Sequence, residues 1–145
     1  MTGRKLLIDT NVFIGLEDQR EVAPEFAKLL ELCQQYSLRY FVHEAAIQDI
    51  KRDRDAERQK ISLSKLRKFE QLKGIQTPKK DELETRFGSI SRANDLVDVA
   101  LLHALDIGAV DLLVSQDQGI HARARRSSTS LADRVLRACP RSSCC

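Results

Sequence analysis

The sequence predicts an α/β domain built on a parallel sheet covered on both faces, and three observations carry that expectation. Short apolar runs alternate with longer stretches at helical spacing, in the order strand, helix, strand, helix, as βαβ units require. The runs Leu6-Leu7-Ile8 and Leu112-Leu113-Val114 read as short buried strands. Each run is followed closely by an acid, Asp9 and Asp117, at the end where a parallel sheet opens its ligand crevice.

The elements follow in order. A first strand covers about residues 5–8. Pro24, favoured at a first helical position, opens a helix with Phe26, Leu29, Leu30 and Cys33 on one stripe, reaching about Tyr36. A second strand covers about 38–42. A helix then begins near Glu44, turns Ala45, Ile47 and Ile50 inward, and continues or restarts through Ile61, Leu63, Leu66 and Phe69 until Gly74. A loop with Pro78 leads to a short stretch around 83–87. Asn94 is the expected cap of a helix over 94–106, with Asp95 and Asp98 three apart on one face of its first turn. Gly108 ends that helix in a left-handed cap. A strand at 111–115, a short helix at 120–126 and an edge strand at 134–136 complete the domain. The expected organisation is one domain over residues 1–140 and a disordered tail at 141–145.

At 145 residues the chain suits one domain with a real core. A composition of 42% hydrophobic and 31% charged residues is that of a soluble globular protein, and the apolar runs are too short to cross a membrane. Arg4-Lys5 is followed by only three apolar residues before Asp9, less than a signal-peptide core, so a cytoplasmic location is expected. Cys33, Cys139, Cys144 and Cys145 show no zinc-knuckle or redox spacing. The net charge of +3 is concentrated: residues 51–80 hold eleven Lys or Arg against four acids, a local excess of +7. This segment reads either as a solvated helix with mixed pairs or as a surface for phosphates, with Lys65, Arg67 and Lys68 as candidate phosphate contacts.

Asp9, Asp95, Asp98 and Asp117 come from distant parts of the chain and converge on one strand edge in this reading. Carboxylates so gathered repel one another unless some are protonated or a cation sits among them. Hard oxygen ligands without a matching His or Cys cluster favour Mg²⁺ or Mn²⁺ over zinc, and His103 and His121 read as core-edge or surface histidines. Such a site suits hydrolysis of a phosphodiester.

In residues 6–14 with Asp9-Thr10-Asn11, in the helix at 95–105 and in residues 113–117, the chain resembles the PIN-domain ribonucleases over roughly residues 4–137. The resemblance implies a three-layer α/β/α sandwich with a central parallel sheet and metal-dependent cleavage of RNA by an acid-bound Mg²⁺ or Mn²⁺. By position, Asp9, Asp98 and Asp117 are the implied metal ligands, with Asn11 and Ser115 as supporting neighbours. Asp95 shares the helix face of Asp98, so both can serve. Asp49, followed by Ile50, matches the second family acid, where most members have Glu, and Glu44 competes for that role. The implied partners are an RNA substrate and the antitoxin of a toxin and antitoxin pair, or a fused partner domain; a homodimer is compatible with it, and no membrane is implied. Two rivals stand beside this reading. A phosphoaspartate enzyme of the haloacid dehalogenase type would need an acid where Asn11 stands. A catalytically weak PIN-fold module would bind RNA or protein without cutting.

Overall fold

The structure, a computed structural model, describes residues 4–9, 31, 34–67, 69–115 and 117–136. Of the expected helix from Pro24 to about Tyr36, residues 31, 34 and 35 are described and helical; the rest of it up to residue 33, the tail, Asn11, Lys68 and the side chain of Lys65 lie outside the described residues. Five strands form one sheet: β1 (Lys5–Ile8), β2 (Arg39–His43), β3 (Glu70–Leu72), β4 (Leu112–Val114) and β5 (Val135–Leu136). All neighbours are parallel and the order is β3-β2-β1-β4-β5. The described helices are α1 (Glu44–Lys51), α2 (Ala56–Leu66), α3 (Lys80–Phe87), α4 (Ala93–Asp106), α5 (Gln118–Ser127) and α6 (Thr129–Asp133). Among the described residues, no helix is long and apolar enough to cross a membrane.

Side chains alternate across a strand, and β1 shows what that does to the core. Leu7 joins Phe41, Phe87, Leu101, Leu105, Leu113 and Ile120 on one face. Its neighbours Leu6 and Ile8 join Val42, Ile47, Leu66 and Val114 on the other. One face is thus covered by α3, α4 and α5 and the other by α1 and α2, which makes three layers α/β/α. Each fully buried Leu in these clusters contributes about 1.5–3 kcal/mol, so a central strand with both faces buried is held more firmly than any edge.

Local details depart from the expected ones for physical reasons. The 44–69 stretch is broken by a turn at 52–55, where Asp55 accepts hydrogen bonds from the Glu57 and Arg58 N–H groups and caps α2. In α2 the inward residues are Ser62 and Leu66, one turn apart, while Ile61 is 46% exposed. The chain after α2 enters β3 instead of prolonging the helix. The 83–87 stretch lies within the full helix α3. At the start of α4 the cap is Arg92 and not Asn94, which is exposed. Gly108 is left-handed, with φ +79°, and follows α4 as expected.

The strand order places the site. From β1 the chain moves outward to β2 and β3, then crosses back to β4 on the other side of β1 and outward again to β5. The direction of winding reverses between β1 and β4, and ligands bind outside the carboxyl ends of strands at such a point.

Candidate metal centre

Asp9 leaves β1 at this reversal. Its N–H donates to the Val114 carbonyl at 2.9 Å, continuing the β1–β4 ladder, and the residue is only 3% exposed. Ser115, the residue after β4, is fully buried and donates from Oγ to Asp9 Oδ2 at 2.7 Å. The same Oγ accepts the Asp117 N–H at 3.0 Å. One hydroxyl therefore orients the first acid and the loop that carries the last, and His121 on α5 steadies that loop through Nε2, 2.9 Å from the Ser115 carbonyl oxygen.

Asp117 caps α5: its Oδ1 accepts the Gly119 N–H at 2.8 Å. A Cβ at Gly119 would lie 3.1 Å from Asp117 Oδ1 and 4.0 Å from Asp98 Oδ2. Two carboxylates thus border one glycine, and a side chain there would crowd both. Asp98 arrives on α4, which packs against α5. Its carboxyl is pushed up to about 7, first by burial and then by the charges of Asp117 and Asp9, with Arg123 opposing. Asp9, Asp98 and Asp117 therefore belong to one electrostatic unit.

Asp95 is placed differently from Asp98. Its Oδ2 accepts from the Ser91 and Arg92 N–H groups and from Ser91 Oγ, and its Oδ1 faces Arg123 Nη2 at 3.3 Å. These hydrogen bonds hold its carboxyl down, at about 2. Its carboxylate is committed to the start of α4, a helix terminus that favours negative charge. Arg123 also donates to the Phe87, Gly88 and Ser89 carbonyls at 3.2, 3.3 and 2.9 Å. It thus fastens the 87–95 wall to α5. No local pattern marks it, because all its partners lie 28 or more residues away.

Asp49 is half-buried on α1 and pairs with Arg52 at 3.7 Å. Glu44 begins α1 and acts on the buried His43 beside it. α1 packs against α4, the helix of Asp98. The basic candidates are elsewhere: Arg67 is exposed and ends α2 just ahead of β3, toward the amino-terminal edge of the sheet and away from the acids. Two other bases of the segment are already paired, Arg52 with Asp49 and Arg58 in a fork with Asp53 at 2.7 and 2.9 Å.

Among the described residues, no three acidic, histidine or cysteine side chains converge closely enough to hold a metal ion as they stand. The chemistry of the donor set still fits a hard divalent cation. The donors are carboxylate oxygens, they raise one another's affinity for positive charge, and the cation Arg123 is committed to carbonyls and Asp95. Mg²⁺ keeps several waters and takes one or two carboxylates directly, and Asp9, Asp98 and Asp117 are the residues that would hold it.

Fold and site together define an α/β/α domain with carboxylates gathered at the reversal of a parallel sheet. Models of known protein families give no match to this chain, and curated protein sequences give none either.

Proposed function

We propose that this protein is a metal-dependent endoribonuclease of the PIN type, hydrolysing RNA phosphodiester bonds at the Asp9, Asp98 and Asp117 group. The observation that carries the reading is the mutual influence of these acids at the winding reversal, with Asp98 held near neutrality by burial and by its two neighbours. A bound Mg²⁺ or Mn²⁺ would neutralise charge on the phosphodiester and make a water easier to deprotonate. Asp9, aligned by Ser115 Oγ, and Asp117, held as a helix cap, supply fixed oxygens. Asp98 supplies a carboxylate whose protonation responds to charge nearby. A cytoplasmic toxin paired with an antitoxin is the biological setting this chemistry suits.

The test is cleavage of labelled single-stranded and structured RNA with Mn²⁺ or Mg²⁺ and with EDTA. Metal-dependent cleavage that Asp9→Asn abolishes is the expected result; an Asp9→Asn protein as active as the wild type overturns the mechanism. A second reading, a PIN-fold module that binds RNA or protein without efficient cleavage, is favoured by the pairing of Asp49 with Arg52 and by the open spacing of the acids. RNA binding without cleavage in the same assay selects it.

A further inference from the structure

Beside the acids lies a cleft of about 420 Å³ lined by Phe87, Gly88, Ser89, Gly119, Ala122, Arg123 and Arg126. Residues 119, 122, 123 and 126 fall at helical spacing on one face of α5, and 87–89 form the facing wall. Gly119 belongs to both places, since it lines the cleft and borders Asp117 and Asp98.

The two arginines in the cleft are used differently. Arg123 is half-buried and its guanidinium is consumed by three carbonyls and Asp95. Arg126, one turn on, is exposed, and its guanidinium has no hydrogen-bond or ion-pair partner among the described residues. Its side chain runs over Gly88, where a Cβ would lie 3.4 Å from Arg126 Cδ and 3.5 Å from its Nε. Gly88 has φ +100°, which a side chain would also strain. The glycine therefore leaves a shallow floor along which Arg126 lies, and the Ser89 hydroxyl at the rim has no partner among the described residues either. A free guanidinium and a free hydroxyl lining one open cleft suit a phosphate, which takes a forked pair of charge-assisted hydrogen bonds.

We propose that this cleft is a phosphate subsite in which Arg126 and Ser89 hold a backbone phosphate of RNA flanking the bond at the acid group. The inference rests on the nuclease reading and adds to it the course of the strand. Gly119 and Arg126 are seven residues apart on α5, about 10 Å along the axis, so the held phosphate lies close to the acids along the strand. Arg126 acts by positioning, and it grips substrate equally before and during reaction. Its loss therefore raises KM and spares kcat.

The experiment measures binding of a labelled single-stranded RNA oligomer in EDTA across a salt series for wild type, Arg126→Gln and Arg125→Gln. Arg125 is exposed on the same helix and does not line the cleft. A single-strand phosphate contact is worth about 0.7 in the slope of log affinity against log salt. Arg126→Gln should flatten the slope by about that amount while Arg125→Gln leaves it nearly unchanged, with equal melting temperatures in all three. In cleavage with Mn²⁺, Arg126→Gln should raise KM severalfold at constant kcat, and Arg126→Lys should recover part of the loss. An unchanged slope in Arg126→Gln, an equal loss in Arg125→Gln, a fall in kcat alone, or no salt-dependent RNA binding by the wild type each overturns the subsite. Absence of cleavage by the wild type overturns the nuclease reading instead, and the binding series in EDTA still decides the subsite.

Discussion

Asp98 is costly to the metal-free protein. Its folded-state value, about 7, lies above the ordinary 3.8, so the folded state binds a proton that the unfolded chain has released between those values. Its contribution to stability is complete below about pH 4 and is lost as pH rises through 7. The full shift corresponds to about 4 kcal/mol, and solvent screening at this part-open position reduces it to about 1–2 kcal/mol. Asp98→Asn should match the wild type in EDTA at pH 4 and melt several degrees higher at pH 8. Thermal melts across that range check it, and parallel curves for the two proteins would show that Asp98 is not the titrating group. Asp95 shows the limit of reading at this scale. The spacing of 95 and 98 puts both acids on one face, but Asp95 is tied down by the Ser91 and Arg92 N–H groups and the Ser91 hydroxyl from the start of α4, and by Arg123 from α5.

At the scale of elements, strands with both faces buried were legible because their apolar runs are continuous, as in Leu6-Leu7-Ile8 and Leu112-Leu113-Val114. β3 was not legible. Glu70-Gln71-Leu72 is an edge strand on the rim of the sheet, mostly exposed, and its pairing with Phe41, Val42 and His43 is its main support. α2 misled in the same way, since it buries Ser62 while exposing Ile61. The choice between Asp49 and Glu44 also belongs here, because both lie on α1 and the orientation of that helix against α4 decides between them. The aliphatic residue after Asp49 predicts that Asp49→Ala loses far more RNA cleavage than Glu44→Ala. Kinetics of the two variants settle the matter, and the reverse ranking would shift the reading of α1 by five residues.

Across the whole molecule, the order β3-β2-β1-β4-β5 brings the ends of β1 and β4 together and sends the carboxyl end of α2 toward the opposite edge of the sheet. The basic segment of 51–80 offers a surface for phosphates in the sequence, yet Arg67 stands at the end of α2 ahead of β3, toward the edge opposite the acids, and Arg52 and Arg58 have acidic partners. Two strand spacings separate β3 from β1, about 10 Å, so only RNA long enough to pass round the sheet meets both regions. Replacing Lys65, Arg67 and Lys68 together by Gln should therefore flatten the salt slope for a long RNA, leave that for a short oligomer unchanged, and preserve Mn²⁺ affinity. An equal effect on short and long RNA would place the α2 end beside the scissile bond.

The sequence by itself determined the layered α/β class, its buried strands and the acids that follow them, because burial on both faces and a charge at a strand end are written in consecutive residues. The separation of Asp95 from Asp98, the Ser115 link between Asp9 and Asp117, and the difference between a committed Arg123 and an unpaired Arg126 were decided only by tertiary structure. Each depends on which distant backbone groups a side chain meets, and those meetings follow from the strand order and not from any local pattern.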